Sequence, residues 1–281
     1  MHLGIHVVPP PATRAPAVLR ASAHAAEALG YRSLWVGDRL APGEVGATRP
    51  LDALATLAYL AARTERVGLG TSVLAGAWYP PALLARSLAT VDQLSQGRLR
   101  IGLGTSSSAR ENRAAGVHDL DPDARLEELL EVLSAAWGPE PAHHVSPLTT
   151  FEGWAPGPLP VQRPRPPILL TGRRERELER VGRRGDGWLA GPDAIAELAE
   201  GWRQVQRSAL AAGRDPAALQ LVVRVSVDGG AAGGRVAQQV ADLGELGADE
   251  VILEVDPDLG LDASLARFAE VAEAVELQAT A

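Results

Sequence analysis

The chain has 281 residues and a formal net charge of −8, with 46% hydrophobic residues and no cysteine. The negative charge argues against a nucleic-acid partner, which needs a clustered positive face. The absence of cysteine excludes disulfides, thiolate metal sites and cysteine nucleophiles. We find neither a signal peptide nor a run of about 18 apolar residues that could cross a membrane, so we expect a cytoplasmic protein.

Short apolar runs alternate along the chain with longer Ala- and Leu-rich amphipathic stretches, a pattern typical of βαβ units with a parallel sheet. The predicted strands are Leu3–Val8, Ser33–Val36, Val67–Val73, Leu99–Gly104, Ile168–Thr171, Gly187–Ala190, Leu219–Val227 and Glu250–Glu254. The helices predicted after them are Pro16–Leu29, Leu51–Arg63, Pro80–Leu94, Pro122–Trp137, Glu175–Arg184, Ala194–Ala212, Arg235–Leu246 and Ser264–Val275.

Eight such units within one domain over residues 1–281 fit a closed (β/α)8 TIM barrel better than an open doubly wound sheet, although one miscounted strand would remove the distinction. The segment Pro139–Pro167 interrupts the alternation, and its prolines exclude a helix. We interpret it as a long surface excursion between the fourth and fifth strands. The glycine-rich run Gly229–Gly234 predicts a flexible loop after the seventh strand.

A long motif covers the third and fourth predicted strands and reads, from Val67 to Gly104, VGLGTSVLAGAWYPPALLARSLATVDQLSQGRLRIGLG. This text resembles the luciferase-like monooxygenase family, including its F420-dependent reductases and dehydrogenases. Further matches continue to about Trp188, and the resemblance is weak beyond that residue. It implies a luciferase-like barrel, a deazaflavin or flavin cofactor, a small organic substrate, and a homodimer that pairs through the early helices.

In a TIM barrel the reactive groups lie at the C-terminal ends of the strands and in the loops that follow. In F420-dependent members of the family the third strand ends in a non-prolyl cis peptide that presses on the cofactor ring. The resemblance therefore implies a cis bond between Ser72 and Val73, with Thr71 beside them in the cofactor site. Without the resemblance, this segment would be an ordinary buried strand end.

After the fourth strand, the resemblance places Gly104 and Thr105 near the cofactor, followed by Ser106 in a run of hydroxyl-bearing residues. Exposed backbone N–H and hydroxyl groups at such a turn can bind an anionic cofactor tail. Glu111 also matches a family position, where its carboxylate would bond loop amides or a cofactor hydroxyl. A plain polar loop with structural roles for these residues is the alternative.

After the fifth strand, Thr171 and Gly172 occupy the place where the family commonly has two glycines that approach the cofactor phosphate. Arg173 and Arg174 would add charge-assisted contacts to that phosphate, and the alternative is a solvated helix start. The indole of Trp188 at the end of the sixth strand could form a wall of the cofactor cleft, or could pack in the core.

The chain departs from the family at the end of the second strand, where a proton-handling group is expected. Many members have Asp-His there, whereas this chain has Asp38 followed by Arg39. Arginine does not titrate usefully near neutral pH, so Arg39 can supply a fixed positive charge but no proton. Asp38 is a catalytic candidate or a structural cap, and His6 at the end of the first strand is a second possible source of an imidazole.

These features lead to three functional hypotheses. The first is an F420-dependent oxidoreductase that transfers a hydride between the deazaflavin and a small organic substrate. The second is an FMNH2-dependent monooxygenase supplied with reduced flavin by a separate reductase. The third is a flavin-binding relative without catalysis, which the Arg39 substitution favours. No metal-ligand spacing or serine-hydrolase elbow occurs in the sequence.

Overall fold

The structure is a computed structural model that describes residues 1–7, 15–40, 51–105, 108–117, 119–138, 141–146, 149–154, 157–227, 233–255 and 259–280, with side chains to residue 275 in the last helix. Its strands are β1 (His2–His6), β2 (Ser33–Val36), β3 (Gly68–Thr71), β4 (Leu74–Ala75), β5 (Leu99–Gly104), β6 (Ala142–Val145), β7 (Thr150–Trp154), β8 (Ile168–Leu170), β9 (Gly187–Ala190), β10 (Gln220–Val227) and β11 (Glu250–Val255).

Eight of these strands form a closed parallel barrel in the order β3, β2, β1, β11, β10, β9, β8 and β5, and the pairing of β3 with β5 closes the ring. The helices are α1 (Ala15–Ala28), α2 (Ala53–Ala61), α3 (Pro81–Leu94), α4 (Ala109–Ala114), α5 (Pro122–Ala136), α6 (Glu175–Arg184), α7 (Leu198–Ala211), α8 (Gly233–Glu245) and α9 (Leu261–Thr280). The predicted TIM barrel is therefore confirmed.

Each barrel strand lies where the sequence predicted one, but several local elements differ. The short strand β4 and the helix α4 were not predicted. Neither was the antiparallel pair β6 and β7, which lies within the proline-rich segment. A 3-10 helix over Pro192–Glu197 precedes α7, so that helix begins later than predicted. Of the predicted glycine-rich loop, residues 229–232 lie outside the described residues, and α8 already begins at Gly233.

The barrel strands alternate between two apolar surfaces because successive side chains of a strand point to opposite faces. One set of side chains packs outward against the helices and forms the large core. The inward set forms a smaller cluster in the lumen, made of Trp35, Leu169, Leu189, Val222 and Ile252. The lumen is therefore a packed core at mid-height and not an open channel, as in other barrels of this size.

A polar network closes the N-terminal end of the lumen beneath this cluster. The buried carboxylate of Glu250 accepts hydrogen bonds from the Ser33 hydroxyl, from Trp35 Nε1 at 3.0 Å and from the Arg100 guanidinium. Arg100 also donates to Gln220 at 2.9 Å, and its guanidinium lies 4.9 Å from the centre of the Trp35 ring. Among the described residues, this network therefore fills the end of the lumen opposite the C-terminal mouth.

Candidate active site

Four residues from four different strand ends meet at the C-terminal mouth of the barrel. His6 ends β1, Ser72 follows β3, Arg224 lies in β10 and Glu254 lies in β11. The three charged or titratable side chains point inward because each follows an inward-facing residue by two positions along its strand. We call these four residues the mouth cluster.

The ring of His6 spans the mouth to the loop after β3. Its Nε2 lies 3.3 Å from the carbonyl oxygen of Ser72, and its Nδ1 lies 3.5 Å from Glu254 Oε1. Gly37, which follows β2, lies next to this contact, and a Cβ atom built there would be 3.5 Å from His6 Nε2 and 3.7 Å from Ser72 O. The segment after β2 therefore packs directly against both residues.

Arg224 holds the same carbonyl from the other side of the mouth. Its Nη1 donates to Ser72 O at 2.8 Å and to Ser72 Oγ at 3.4 Å. Its Nε lies 3.4 Å from Glu254 Oε2, and both side chains are a little more than a quarter exposed. Within the described residues, the buried atoms His6 Nδ1 and Arg224 Nε have no hydrogen-bond partner. Both atoms therefore face Glu254 with unused hydrogen-bonding capacity.

The electrostatics of the mouth cluster favour a neutral imidazole. Burial lowers the pKa of His6 to about 4, the charge of Glu254 opposes this effect, and the positive charge of Arg224 reinforces it. The contact with the Ser72 carbonyl also raises this pKa slightly. At neutral pH, His6 is therefore uncharged.

Sequence reasoning found His6 and Ser72 but missed Arg224 and Glu254. The available signal was strand periodicity. Counting by twos from Val222 and from Ile252, both in the lumen cluster, leads to the charged residues Arg224 and Glu254. A charge at an inward position near a strand's C-terminal end indicates the mouth of a barrel. These strands lie beyond the part of the chain where the family resemblance is strong, so no motif drew attention to them.

Asp38 anchors the loop after β2 to the segment after β3. Its Oδ2 accepts hydrogen bonds from the Tyr79 hydroxyl at 2.9 Å and from the Ala75 amide at 3.3 Å, and its own amide donates to Val73 O at 3.3 Å. Burial raises the pKa of Asp38, while the two hydrogen bonds lower it in part. Burial and the adjacent carboxylate also raise the pKa of Tyr79, a residue that sequence reasoning did not select.

The structure gives Glu111 a different role from the predicted cofactor contact. Its carboxylate is almost fully buried, and Oε1 accepts from the Leu40 amide at 2.8 Å and from Arg39 Nε at 3.3 Å. It therefore bonds a loop amide, as one alternative held, and it also partners Arg39. The Arg39 side chain is 59% exposed, so its outer nitrogens remain accessible at the mouth.

The peptide bond between Ser72 and Val73 is cis, as predicted. Val73 is partly buried and packs against the lumen cluster. The fully buried hydroxyl of Thr71, which was predicted as a cofactor contact, donates to Gly102 O at 2.8 Å and accepts from Gly102 N at 2.9 Å. Thr71 therefore ties β3 to β5, and its hydroxyl has no access to the mouth.

The predicted cofactor residues after β5 are only partly described. At Gly104 a Cβ atom would lie 2.5 Å from Thr171 Oγ1 and 3.2 Å from Val73 Cγ2, so glycine is required for this close packing at the mouth. Thr105 is half-buried beside it. Ser106 lies outside the described residues. Ser108 then begins α4 by accepting a hydrogen bond from the Glu111 amide.

The start of α6 after β8 already holds a carboxylate. Glu177 Oε2 accepts from the amides of Arg173 at 2.9 Å and Arg174 at 3.1 Å, and its other oxygen accepts from the Arg174 guanidinium. The Arg173 side chain pairs with Asp193 at 3.1 Å. The amides of Arg173 and Arg174 are therefore bonded within the protein, while both arginine side chains, which were predicted to contact a cofactor phosphate, are mostly exposed.

Trp188 packs in the core, which was the alternative to a wall of the cofactor cleft. Its indole is 1% exposed and packs outward against α7, where a Cβ atom at Gly201 would come within 2.5 Å of the ring. Its Nε1 donates to Gly172 O at 3.1 Å. The physical reason is strand alternation, since Leu189, the next residue of β9, is the one that faces the lumen.

Within the ranges the structure describes, no three His, Asp or Glu side chains gather in a way that could hold a metal ion. No described helix is both long and apolar enough to cross a membrane. Among the described residues, the polar groups of the mouth cluster are therefore the candidates for binding and proton transfer at this site.

Comparison with protein families gives one match, to the luciferase-like monooxygenase model over residues 2–229. An uncharacterised protein of Mycobacterium tuberculosis H37Rv is 30% identical over 260 residues, which cover 86% of this chain and 88% of that protein. The F420-dependent hydroxymycolic acid dehydrogenase of the same organism is 29% identical, covering 72% and 56%. The oxygenase component of the flavin-dependent trigonelline monooxygenase of Acinetobacter baylyi is 30% identical, covering 51% and 39%.

Solved structures support the same fold. A monooxygenase from Streptomyces bottropensis superimposes with a TM-score of 0.84 at 22% identity and full coverage of both chains. An F420-dependent secondary alcohol dehydrogenase, in complex with an F420–acetone adduct, gives a TM-score of 0.82 at 18% identity, with 98% coverage of each chain. At these identities the superpositions establish the shared barrel and its closure, and nothing finer.

Proposed function

The chain belongs to the luciferase-like monooxygenase family, and from this premise we propose that it is an F420-dependent oxidoreductase acting on a small organic substrate at the C-terminal mouth. The observation that carries the proposal is the mouth cluster itself. An imidazole and a guanidinium meet at one carbonyl oxygen, and a carboxylate lies beside both of them, at the end of the barrel where such folds hold their reactive groups. Relatives that use F420 support the choice of cofactor.

The residues present fit a flat ring system with polar edge atoms. The mouth has the lumen cluster as an apolar floor, with Val73 packed against it, and a polar rim that includes two buried nitrogen atoms without hydrogen-bond partners. A deazaflavin bound there would supply hydride acceptance or donation. The loop after β3, fixed by Arg224 and His6, would support the ring, and the exposed nitrogens of Arg39 would supply a positive charge near it.

An anionic cofactor tail fits the exposed side chains at the start of α6. Glu177 occupies the amides of Arg173 and Arg174, so a phosphate beside these two residues would bind through their guanidinium groups. Planar guanidinium groups are suited to phosphate oxygens. We therefore assign the tail to the side chains of Arg173 and Arg174.

A second candidate function is an FMNH2-dependent monooxygenase that receives reduced flavin from a separate reductase. It is supported by the relative from Acinetobacter baylyi, whose identity to this chain matches that of the F420-dependent relative within one percentage point. The two functions differ in what the protein binds and in whether it consumes dioxygen. They share the barrel and the mouth.

The deciding experiment is a titration of the pure protein with F420 and with FMN, each oxidised and reduced, followed by fluorescence. Tighter binding of F420 supports the proposal, and tighter binding of FMN with dioxygen consumption supports the monooxygenase. Binding of flavin without turnover of any alcohol, carbonyl compound or dioxygen would leave the non-catalytic relative, and binding of neither cofactor would refute the proposal.

Variants locate the bound cofactor. Arg224→Gln should weaken binding by roughly tenfold or more, since a charge-assisted hydrogen bond at the mouth contributes about 1.5–3 kcal/mol. Arg203→Gln is the matched control, because Arg203 is an exposed arginine of α7 that pairs only with a surface glutamate in the described structure. Equal affinities of these two variants would place the cofactor away from the mouth.

A further inference from the structure

A neutral His6 has one N–H group, but its two ring nitrogens face two acceptor oxygens, Ser72 O and Glu254 Oε1. A carbonyl oxygen can only accept, so the contact of His6 Nε2 with Ser72 O is attractive only when Nε2 carries a hydrogen. In a neutral ring, Nδ1 is then a bare acceptor. It lies 3.5 Å from Glu254 Oε1, which is also an acceptor when the carboxylate is ionised.

The other neutral tautomer also leaves one pair of acceptor atoms facing each other. With the hydrogen on Nδ1, the contact with Glu254 becomes attractive, but two acceptors then face each other at Nε2 and Ser72 O. Only an additional proton, shared between Nδ1 and Glu254 Oε1, makes both contacts attractive at once. The absence of any hydrogen-bond partner for the buried Nδ1 is the structural sign of this unfilled position.

The groups packed around His6 keep this position empty at neutral pH. Glu254 of β11 attracts the proton and Arg224 of β10 repels it, while Gly37 after β2 and the Ser72 carbonyl of the β3 loop are the other described groups near the ring. Burial lowers the pKa of His6 well below its ordinary value and is the largest of these effects. At neutral pH the position between Nδ1 and Glu254 therefore holds no proton that would have to leave before another could enter.

We infer that Glu254 and His6 form the proton-accepting pair for oxidation of an alcohol, with Glu254 as the catalytic residue and with His6 and Arg224 as positioning residues. The inference rests on the proposed function. When the alcohol is oxidised, its C–H bond breaks and the hydride, with both electrons, passes to the deazaflavin, which is reduced. The O–H bond breaks, the carbonyl C=O bond forms, and the hydroxyl proton ends between Glu254 Oε1 and His6 Nδ1.

Accessibility decides which member of the pair meets the substrate. The Glu254 side chain is 29% exposed at the mouth, whereas that of His6 is 6% exposed and lies behind it. Other candidates are less suitable: Arg39 remains protonated, and Asp38 already accepts hydrogen bonds from Tyr79 and Ala75. Arg224 keeps the carboxylate in place through its Nε at 3.4 Å.

The pair can be tested without cofactor by nitrogen-15 NMR of the histidine ring as a function of pH. The wild-type protein should show His6 as the Nε2–H tautomer at neutral pH, assigned by replacing the other five histidines one at a time. An Nδ1–H tautomer would overturn the inference, and this measurement requires no change at Glu254. Glu254→Gln should lower the apparent pKa of His6 by roughly one unit or more, because a nearby opposite charge is lost.

Activity provides the second readout. Glu254→Gln should lower kcat for an alcohol by about 100-fold, the usual scale of general base catalysis, with a smaller effect on KM and with loss of the acidic limb of the pH profile. Glu245→Gln is the control, an exposed glutamate at the last turn of α8. If Glu254→Gln leaves the pKa of His6 unchanged, the pair is refuted, whichever cofactor the protein binds. If the pKa of His6 falls as expected but the protein binds no F420, the proposed function is refuted instead.

Discussion

The stability of the protein should depend on pH through His6. The folded pKa is about 4 and the unfolded value is 6.5, a difference of 2.5 units. Below pH 6.5 the unfolded chain binds a proton at His6, whereas the folded protein does not bind it until about pH 4. The free energy of unfolding therefore decreases as the pH is lowered from about 6.5 to about 4. At 1.36 kcal/mol per unit, the full loss is about 3 kcal/mol.

The assay is urea unfolding followed by tryptophan fluorescence at about pH 7.5 and about pH 4.5, where most of that loss has occurred. His6→Gln removes the titrating group, so its stability should fall by about 2.5 kcal/mol less than that of the wild type between the two pH values. Asp38, with a raised pKa, and Glu177, with a lowered one, also change stability with pH, but they are present in both proteins and cancel in the difference.

His24→Gln is the matched control, because His24 is an exposed residue of α1 and its replacement should leave the wild-type pH dependence intact. If wild type and His6→Gln lose the same stability on acidification, His6 is not a buried neutral histidine. The electrostatic basis of the mouth cluster would then be wrong.

Three further predictions concern the mouth, the helical layer and assembly. Arg39→Ala should lower turnover more than tenfold, at least about 1.4 kcal/mol, and Arg39→Lys should rescue it in part; unchanged kcat/KM in the alanine variant would make Arg39 a bystander. Arg180→Met should lower the free energy of unfolding, measured by urea denaturation, by about 2 kcal/mol, because the buried guanidinium donates to Asp123 and Glu127. The control Arg203→Met, at an exposed position, should lower it by less than about 0.5 kcal/mol. The protein should be a homodimer paired through α2 and α3, and a monomer by light scattering at micromolar concentration would contradict this.

The barrel was predictable because its signals are local. Each strand is a short apolar run, each helix a longer amphipathic stretch, and their alternation leaves few possible folds. The pair β6 and β7 was missed because its strands lie outside the barrel, in a segment where prolines dominate the pattern. The short helix α4 had a readable signal: Ser108 and Glu111 have the spacing of a helix start, and Ser108 accepts from the Glu111 amide as that pattern predicts.

The site was predictable in position but not in partners. Strand ends named His6, Ser72 and Asp38, which the structure places at the mouth, and their catalytic and cofactor roles stay predictions. Which side chain bonds which cannot be read from spacing, because it depends on contacts between residues more than 60 positions apart. The same limit explains Thr71, whose hydroxyl binds the backbone of the neighbouring strand, and Trp188, whose direction follows from strand alternation that the sequence analysis did not apply.

The hydrogen bonds around Arg39 explain why we place the proton acceptor on the other side of the mouth. At the end of β2, the buried Glu111 accepts from Arg39, and Asp38 accepts from Tyr79 and Ala75, so the carboxylates there already hold protein hydrogens. A proton taken up on this side would have to break one of these bonds. Across the mouth, His6 Nδ1 has no hydrogen-bond partner, and a proton bound between it and Glu254 would break no existing bond. We therefore place the proton acceptor on β1 and β11 and not at the end of β2, where the family resemblance had implied it.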